Sequence, residues 1–123
     1  MTMQDEHQTT EDVGSFAELT LECWRLLRLV ERLIENQPAD RQARGRAQAR
    51  YVRGRLDAIL GARGIQLIAY DGETYGPGLP VTIANADELH RSEGLLVEET
   101  LEPTLVADGR IVAMGRVVLK KGD

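Results

Sequence analysis

The sequence contains few of the residues and motifs on which common enzyme sites are built. It has one cysteine and two histidines in 123 residues, so no internal disulfide can form. A single thiol is typical of a small buried side chain in a reducing compartment. The sequence has no HExxH, CxxC or GxSxG motif and no phosphate-binding P-loop, which argues against the common metal, thiol, hydrolase and nucleotide sites. We therefore expect a protein that is not an enzyme, with no catalytic residue, metal site or cofactor.

Aromatic residues and long apolar runs are also scarce. Aromatics make up 4% of the chain, so Leu, Val, Ile and Ala must fill its core. Cores of this size are marginal alone, which favours oligomerisation. No apolar run has the length of a membrane span. Met1–Thr10 is polar and acidic, unlike a signal peptide, and we expect a soluble cytoplasmic protein.

The charge that is present is unevenly distributed along the chain. Residues 1–24 hold six acids and no Lys or Arg, whereas residues 25–63 hold ten Arg against four acids. Residues 64–123 hold ten acids against five bases. This asymmetry is more informative than the net charge of −5, because it separates an acidic start from a basic middle.

The first helix is predicted to begin at Ser15, after a disordered acidic tail over residues 1–14. Ser15 and Glu18 have the spacing of a capping box. Apolar residues then repeat in sevens, in two series three residues apart, which is typical of a coiled-coil seam that mediates dimerisation. The predicted dimerisation residues are Phe16, Leu19, Cys23, Leu26, Val30 and Leu33. Trp24 lies off this seam, and either packs within the protein or anchors a partner.

A second helix is predicted from Pro38 to Ala62, with Gly64 as its C-terminal glycine. The short connection favours an antiparallel hairpin, and two hairpins would form a dimeric four-helix bundle. Seven arginines lie between Arg41 and Arg63, which suggests nucleic-acid binding as one hypothesis. Because they are spread around the helix, we favour a solvated face that pairs with nearby acids such as Glu31.

The pattern changes to short strands at Ile65. Asp108-Gly109 has the residues of a tight hairpin turn, and predicts that 104–107 and 110–113 are paired strands. The predicted fold class is α+β, with a helical hairpin over 15–63 followed by a small all-β C-terminal domain over 64–123. Glu98, Glu99 and Glu102 form an acidic group, which we interpret as solvent-facing strand charges.

Three segments of the β region resemble GrpE, the nucleotide exchange factor of DnaK-type chaperones. GrpE proteins have a Gly-Val/Ile before a strand, a Phe-Asp-Pro-x-x-His segment and a closing Gly-Arg-Val-Leu-Arg-Pro-Ala-x-Val-x-Val. The corresponding segments are 64–65 (Gly-Ile), 75–80 (Tyr-Gly-Pro-Gly-Leu-Pro) and 109–119, which begins Gly-Arg-Ile-Val. The chain differs from the pattern at Gly76, at Pro80 and over 113–115.

The resemblance implies a homodimeric co-chaperone that binds a DnaK-type ATPase domain and promotes ADP release. The partner-binding residues expected from it are Tyr75, Pro77, Leu79, Arg110, Met114 and Arg116. Tyr75 and Leu79 are alternatively core residues. Since Gly76, Pro80 and Ala113 replace polar residues of the pattern, a diverged dimeric adaptor for another protein, without exchange activity, is the second hypothesis.

Overall fold

The computed structural model describes residues 3–90 and 94–122, and confirms the α+β class. The elements are α1 (Met3–Glu35), α2 (Ala39–Gly61), β1 (Ile65–Ile68), β2 (Val81–Ile83), a 3-10 turn (Ala86–Glu88), β3 (Leu95–Glu102), β4 (Thr104–Ala107), β5 (Arg110–Ala113) and β6 (Gly115–Lys121). The chain divides into two compact units, Met1–Leu56 and Asp57–Asp123. The division falls inside α2, upstream of the boundary predicted after residue 63. No helix within the described ranges has an apolar stretch long enough to cross a membrane.

The structure differs from the sequence prediction at the start of α1. The helix begins at Met3 and continues through Ser15, so Ser15 does not cap it and the predicted start is wrong. Residues 3–14, predicted as a disordered tail, are helical. Once a helix is nucleated, each added residue gains a backbone hydrogen bond, so polar residues can extend it. Met1 and Thr2 lie outside the described residues.

In the helical unit, one face of α1 packs against small residues of α2. Leu27, Ile34 and Ala49 form a buried cluster. Gly45 allows the close approach, because a Cβ at this position would lie 3.0 Å from Ile34 Cγ1. The buried stripe of α1 consists of Ala17, Thr20, Trp24, Leu27 and Ile34. Its spacing of three and four residues is that of one helix face, and the predicted hairpin is confirmed.

Two polar contacts accompany this apolar packing. Arg53 Nη2 donates to Glu31 Oε1 at 2.7 Å, and both side chains are about one-third exposed. This agrees with the prediction that arginines of the second helix pair with acids of the first. The Arg28 guanidinium carbon lies 5.0 Å from the centre of the Trp24 ring. Trp24 is only 4% exposed, so it packs within the protein rather than standing free for a partner.

The β unit contains two three-stranded sheets. In the first, the order is β1-β4-β5 and all pairs are antiparallel. In the second, the order is β2-β6-β3, with β2 parallel to β6 and β3 antiparallel to it. The predicted β4–β5 hairpin is confirmed, and Asp108 and Gly109 both have positive φ, at 51° and 78°. Two consecutive positive φ values are characteristic of a type I′ turn, which matches the twist of the strands.

The core of the β unit consists of the aliphatic faces of β3 and β6 together with Tyr70. Its buried residues are Tyr70, Val81, Leu95, Val97, Val117 and Leu119. Beside them, the buried Thr104 hydroxyl accepts from Tyr70 Oη at 2.8 Å and from Gly115 N at 3.1 Å, and donates to Pro80 O at 2.8 Å. One hydroxyl therefore links four chain segments that are distant in sequence.

The glycine that follows α2 supplies the first testable prediction. Gly64 has φ of 71°, its carbonyl accepts from Asp108 N at 2.9 Å, and a Cβ would meet Asp108 Oδ1. We expect Gly64→Ala to lower the free energy of unfolding by about 1–2 kcal/mol, since a left-handed backbone disfavours a side chain. Gly54 is the matched control. It lies in α2, and a Cβ added there would have no neighbouring atom within 4 Å, so Gly54→Ala should raise stability by about 0.5–1 kcal/mol.

Urea titration of both variants measures these changes. Equal unfolding midpoints for Gly64→Ala and the unchanged protein would contradict this account of the helix end.

Candidate interaction surfaces

The residues predicted for dimerisation lie on an exposed face of α1. Leu19, Leu26 and Leu33 are 61%, 64% and 58% exposed, and Val30 and Cys23 are exposed as well. Phe16 is half-buried. We call these six residues the α1 seam. Their role in self-association stays a prediction, but the structure leaves their apolar side chains accessible for it.

The α1 seam is exposed because the hairpin uses the neighbouring stripe of the same helix. The buried residues Ala17, Thr20, Trp24 and Leu27 follow the seam residues Phe16, Leu19, Cys23 and Leu26 by one position. The helix is therefore apolar on two adjacent faces, and α2 packs against one of them at Leu27 and Ile34. A helix that is apolar over so wide an arc is normally buried on both faces.

A groove of about 580 Å³ runs between α1 and α2 beside the seam. Its lining includes the buried Leu27, Ile34 and Ala49, and on the α1 side Leu26 and Val30. The α2 side contributes Arg41, Arg44 and Gln48. The groove thus has an apolar interior with one basic side, which suits an apolar helix that also carries acids.

A second exposed apolar surface lies on the edge strand β5 and on Met114, the residue that follows it. Ile111, Val112 and Met114 are 55%, 45% and 50% exposed, and Arg110 is exposed beside them. We call these four residues the β5 surface. The β4–β5 register shifts between Leu105 and Val106, so that Val112 has no partner opposite it and forms a β-bulge. A bulge at a sheet edge changes the direction of a side chain and interrupts the regular backbone hydrogen bonding of the strand. A partner is therefore more readily bound by the side chains of β5 than by pairing of a further strand with its backbone.

Four of the six predicted partner-binding residues fall into two groups. Arg110 and Met114 belong to the β5 surface, together with Ile111 and Val112, which the sequence interpretation missed. Tyr75 and Leu79 are half-buried and pack against the core of the β unit.

Backbone contacts support the structural placement of the segment that holds Tyr75 and Leu79. Tyr75 N donates to Leu95 O at 2.9 Å and Leu79 N to Gly76 O at 3.1 Å. Pro77 is exposed. Arg116 is half-exposed and lies 3.3 Å from Glu102 in an ion pair. Arg110 and Met114 thus lie on an accessible surface, whereas Tyr75 and Leu79 contribute to the core.

The acidic group of β3 has an irregular backbone. The β3–β6 register shifts between Val97 and Glu99 and again between Thr100 and Glu102, so Glu98 and Leu101 are extra residues in the ladder. Glu98 is exposed and Glu102 pairs with Arg116. Within residues 3–90 and 94–122, no group of three His, Cys, Asp or Glu side chains is placed to hold a metal ion. The features that the fold does present are apolar surfaces.

Comparison with protein families, curated proteins and solved structures finds no match for this chain.

Proposed function

We propose that this protein is a cytoplasmic, non-enzymatic binding protein that self-associates through α1 and binds another protein through the β5 surface. The observation that carries the proposal is the exposure of Ile111, Val112 and Met114 within four consecutive residues at an edge strand. Clustered exposed apolar side chains are a mark of protein interaction sites. Arg110 adds a cation at the border of the surface, where a charge guides a partner and fixes its orientation.

The partner proposed first is a DnaK-type chaperone ATPase domain, or a related ATPase, as the resemblance to GrpE implies. A protein that binds the open, ADP-releasing conformation more tightly than the closed one shifts the population toward it. Each tenfold shift requires about 1.4 kcal/mol of differential binding free energy. Two or three apolar side chains that become buried only against the open conformation can supply that difference.

The second candidate, an adaptor without exchange activity, is favoured by the packing of Tyr75 and Leu79. Both lie in the segment that resembles the Phe-Asp-Pro-x-x-His pattern of GrpE, and both pack against the core. That segment therefore supports the sheet, while the contact surface is concentrated on β5. An adaptor of this kind would bind another protein through the β5 surface and would not promote ADP release.

Calorimetry with a DnaK-type ATPase domain, followed by stopped-flow release of a fluorescent ADP analogue, separates the two candidates. Binding with faster ADP release supports the exchange factor. Binding with an unchanged release rate would contradict exchange activity. If neither binding nor acceleration occurs with DnaK-type domains, the proposed chaperone partner is wrong, and the adaptor for another protein is the remaining candidate.

The β5 surface is tested by Ile111→Asp. We expect this change to weaken partner binding roughly tenfold or more, because it replaces a buried apolar contact with a charge. Gln66→Asp is the matched control, since Gln66 is exposed on β1 at the other edge of the same sheet. Calorimetric titration of both variants against the same ATPase domain measures the effect. Equal affinities for the two variants would contradict the assignment of this surface.

Self-association through the α1 seam has a similar physical basis. Three leucines of the seam are more than half exposed, and complete burial of a leucine contributes about 1.5–3 kcal/mol. In a symmetric dimer each of these three positions contributes two buried leucines, one from each copy. This burial is a favourable contribution that opposes the entropy lost on association.

A further inference from the structure

We propose that one face of α2 binds single-stranded nucleic acid, separately from the β5 surface. The residues of this face follow one another at spacings of three and four, which is the spacing of neighbours along a helix surface. All of them are exposed, and they are Arg41, Arg44, Gln48, Tyr51 and Arg55. We call these five residues the α2 stripe. Three guanidinium groups, an amide and a phenol ring thus lie in one line along the helix.

The three arginines of the α2 stripe are available to an external anion. Elsewhere on α2, Arg53 pairs with Glu31 and Arg46 donates to Gln42. By contrast, the stripe arginines make no hydrogen bond or ion pair with any residue that the structure describes. A guanidinium group binds phosphate through two parallel hydrogen bonds and also stacks on flat rings. The stripe therefore offers the groups that a sugar-phosphate backbone requires.

The acids of α2 reduce this positive charge without cancelling it. Asp40 lies one turn before Arg44, so it offsets one of the three charges. Asp57 follows Arg55 by two positions, which places it about 200° around the helix and off the stripe. Over the whole of α2, six arginines face these two acids. The helix therefore keeps a positive charge although the chain as a whole carries −5.

The acids at the end of α1 lie toward a different side of α2. Glu31 accepts from Arg53, and the Glu35 carbonyl accepts from Gln42 Nε2 at 3.2 Å. Arg53 and Gln42 are both more than about a third of a turn around α2 from the stripe. On the stripe side, the described residues that line the groove include no Asp or Glu. Neither helix of the hairpin therefore supplies the stripe with more than the one acid at Asp40.

Tyr51 favours a nucleic acid over an acidic protein segment as the bound anion. Its side chain is 69% exposed and lies between Gln48 and Arg55 on the stripe. An exposed aromatic ring in a row of cations is a platform on which a base stacks. In a duplex the bases already stack on each other, so only a single strand presents a base to such a ring. From Arg41 to Arg55 the stripe extends about 21 Å, the length of about six nucleotides at roughly 3.4 Å each.

Fluorescence anisotropy of a labelled thymidine strand of about 20 nucleotides, titrated with the full chain, tests this proposal. Three phosphate contacts predict that affinity falls roughly twentyfold between about 50 and 200 mM salt. Tyr51→Ala should weaken binding at least about fivefold and leave the salt dependence unchanged, because it removes stacking but no charge. Arg44→Gln should weaken binding and reduce the salt dependence, whereas Arg44→Lys should retain that dependence.

Arg50→Gln is the matched control, since Arg50 is exposed on another side of α2. It should change affinity by less than about twofold, because salt screens exposed charges beyond about 10 Å. Absence of binding at low salt, or equal effects of Arg50→Gln and Arg44→Gln, would overturn the proposal. Equal affinity for a duplex or for a polyglutamate peptide, with no effect of Tyr51→Ala, would also overturn it. Ile111→Asp should leave strand binding unchanged, so this result is independent of the proposed protein partner.

Discussion

Replacing Leu26 with glutamate is expected to disrupt the proposed self-association through the α1 seam, weakening it by about a hundredfold or more. Leu26 is 64% exposed and lies at the centre of the α1 seam. The change removes two buried leucines from a symmetric pair and leaves two carboxylates close together in an apolar contact. A buried charge without a partner is strongly unfavourable. Light scattering across a range of micromolar concentrations measures the loss.

Tyr51→Glu is the control for this prediction. Tyr51 is 69% exposed on α2 and does not line the groove, so the same charge there should leave the dimer intact. Circular dichroism should show the helical content of both variants unchanged, since neither side chain is buried. A Leu26→Glu protein that stays dimeric would exclude the α1 seam as the interface. Equal dissociation of both variants would point to a general effect of charge.

Thr104→Val is expected to lower the free energy of unfolding by about 2–4 kcal/mol, because it removes the hydrogen-bond partner of polar groups buried at the centre of the β unit. Thr104 is completely buried, and its hydroxyl bonds to Tyr70 Oη, Gly115 N and Pro80 O. Valine has nearly the same shape but offers no donor or acceptor. The Tyr70 hydroxyl loses its acceptor outright, whereas Gly115 N retains a bond to Pro80 O at 3.0 Å.

Two further variants separate hydrogen bonding from packing. Thr82 is exposed and its hydroxyl makes one long contact of 3.4 Å to Gly115 O, so Thr82→Val should change stability by less than about 0.5 kcal/mol. Tyr70→Phe combined with Thr104→Val should cost less than the sum of the single changes, since the two residues share one hydrogen bond. Additive effects in urea titrations would contradict the proposed network.

The local features of this fold are predictable from the sequence. Asp108-Gly109 identifies the β4–β5 hairpin, because few other residue pairs accept positive φ at both positions. Pro38 and Gly64 mark the flanks of α2. These signals act within a few residues of the chain. The parallel pairing of β2 with β6 is not predictable in this way, since it joins residues more than thirty positions apart.

The buried stripe of α1 shows why periodicity alone does not identify the inner face. Leu26 and Leu27 both belong to series that repeat at seven residues, so either series can face the hairpin. The choice is made by Gly45 and Ala49 of α2, which leave space for Ile34 and Leu27. The positions of the small residues on α2 thus determine which large residues of α1 are buried. This depends on contact between the two helices, which the periodicity of α1 does not contain.

The candidate surfaces are predictable only in part, for similar reasons. The sequence interpretation includes Arg110 and Met114, whereas it assigns Ile111 and Val112 to a continuous aliphatic strand. The bulge at Val112 breaks the alternation of inward and outward side chains, and it depends on the register with β4. Tyr75 and Leu79 are open to two interpretations in the sequence, and the structure places both against the core.

The most direct test of this account is the molar mass of the unchanged protein by light scattering. The proposed pairing through α1 predicts about twice the chain mass of 13.7 kDa across the micromolar range. Because the expected effect of Leu26→Glu depends on that pair, the measurement precedes the others. A mass of one chain at every concentration would contradict the account.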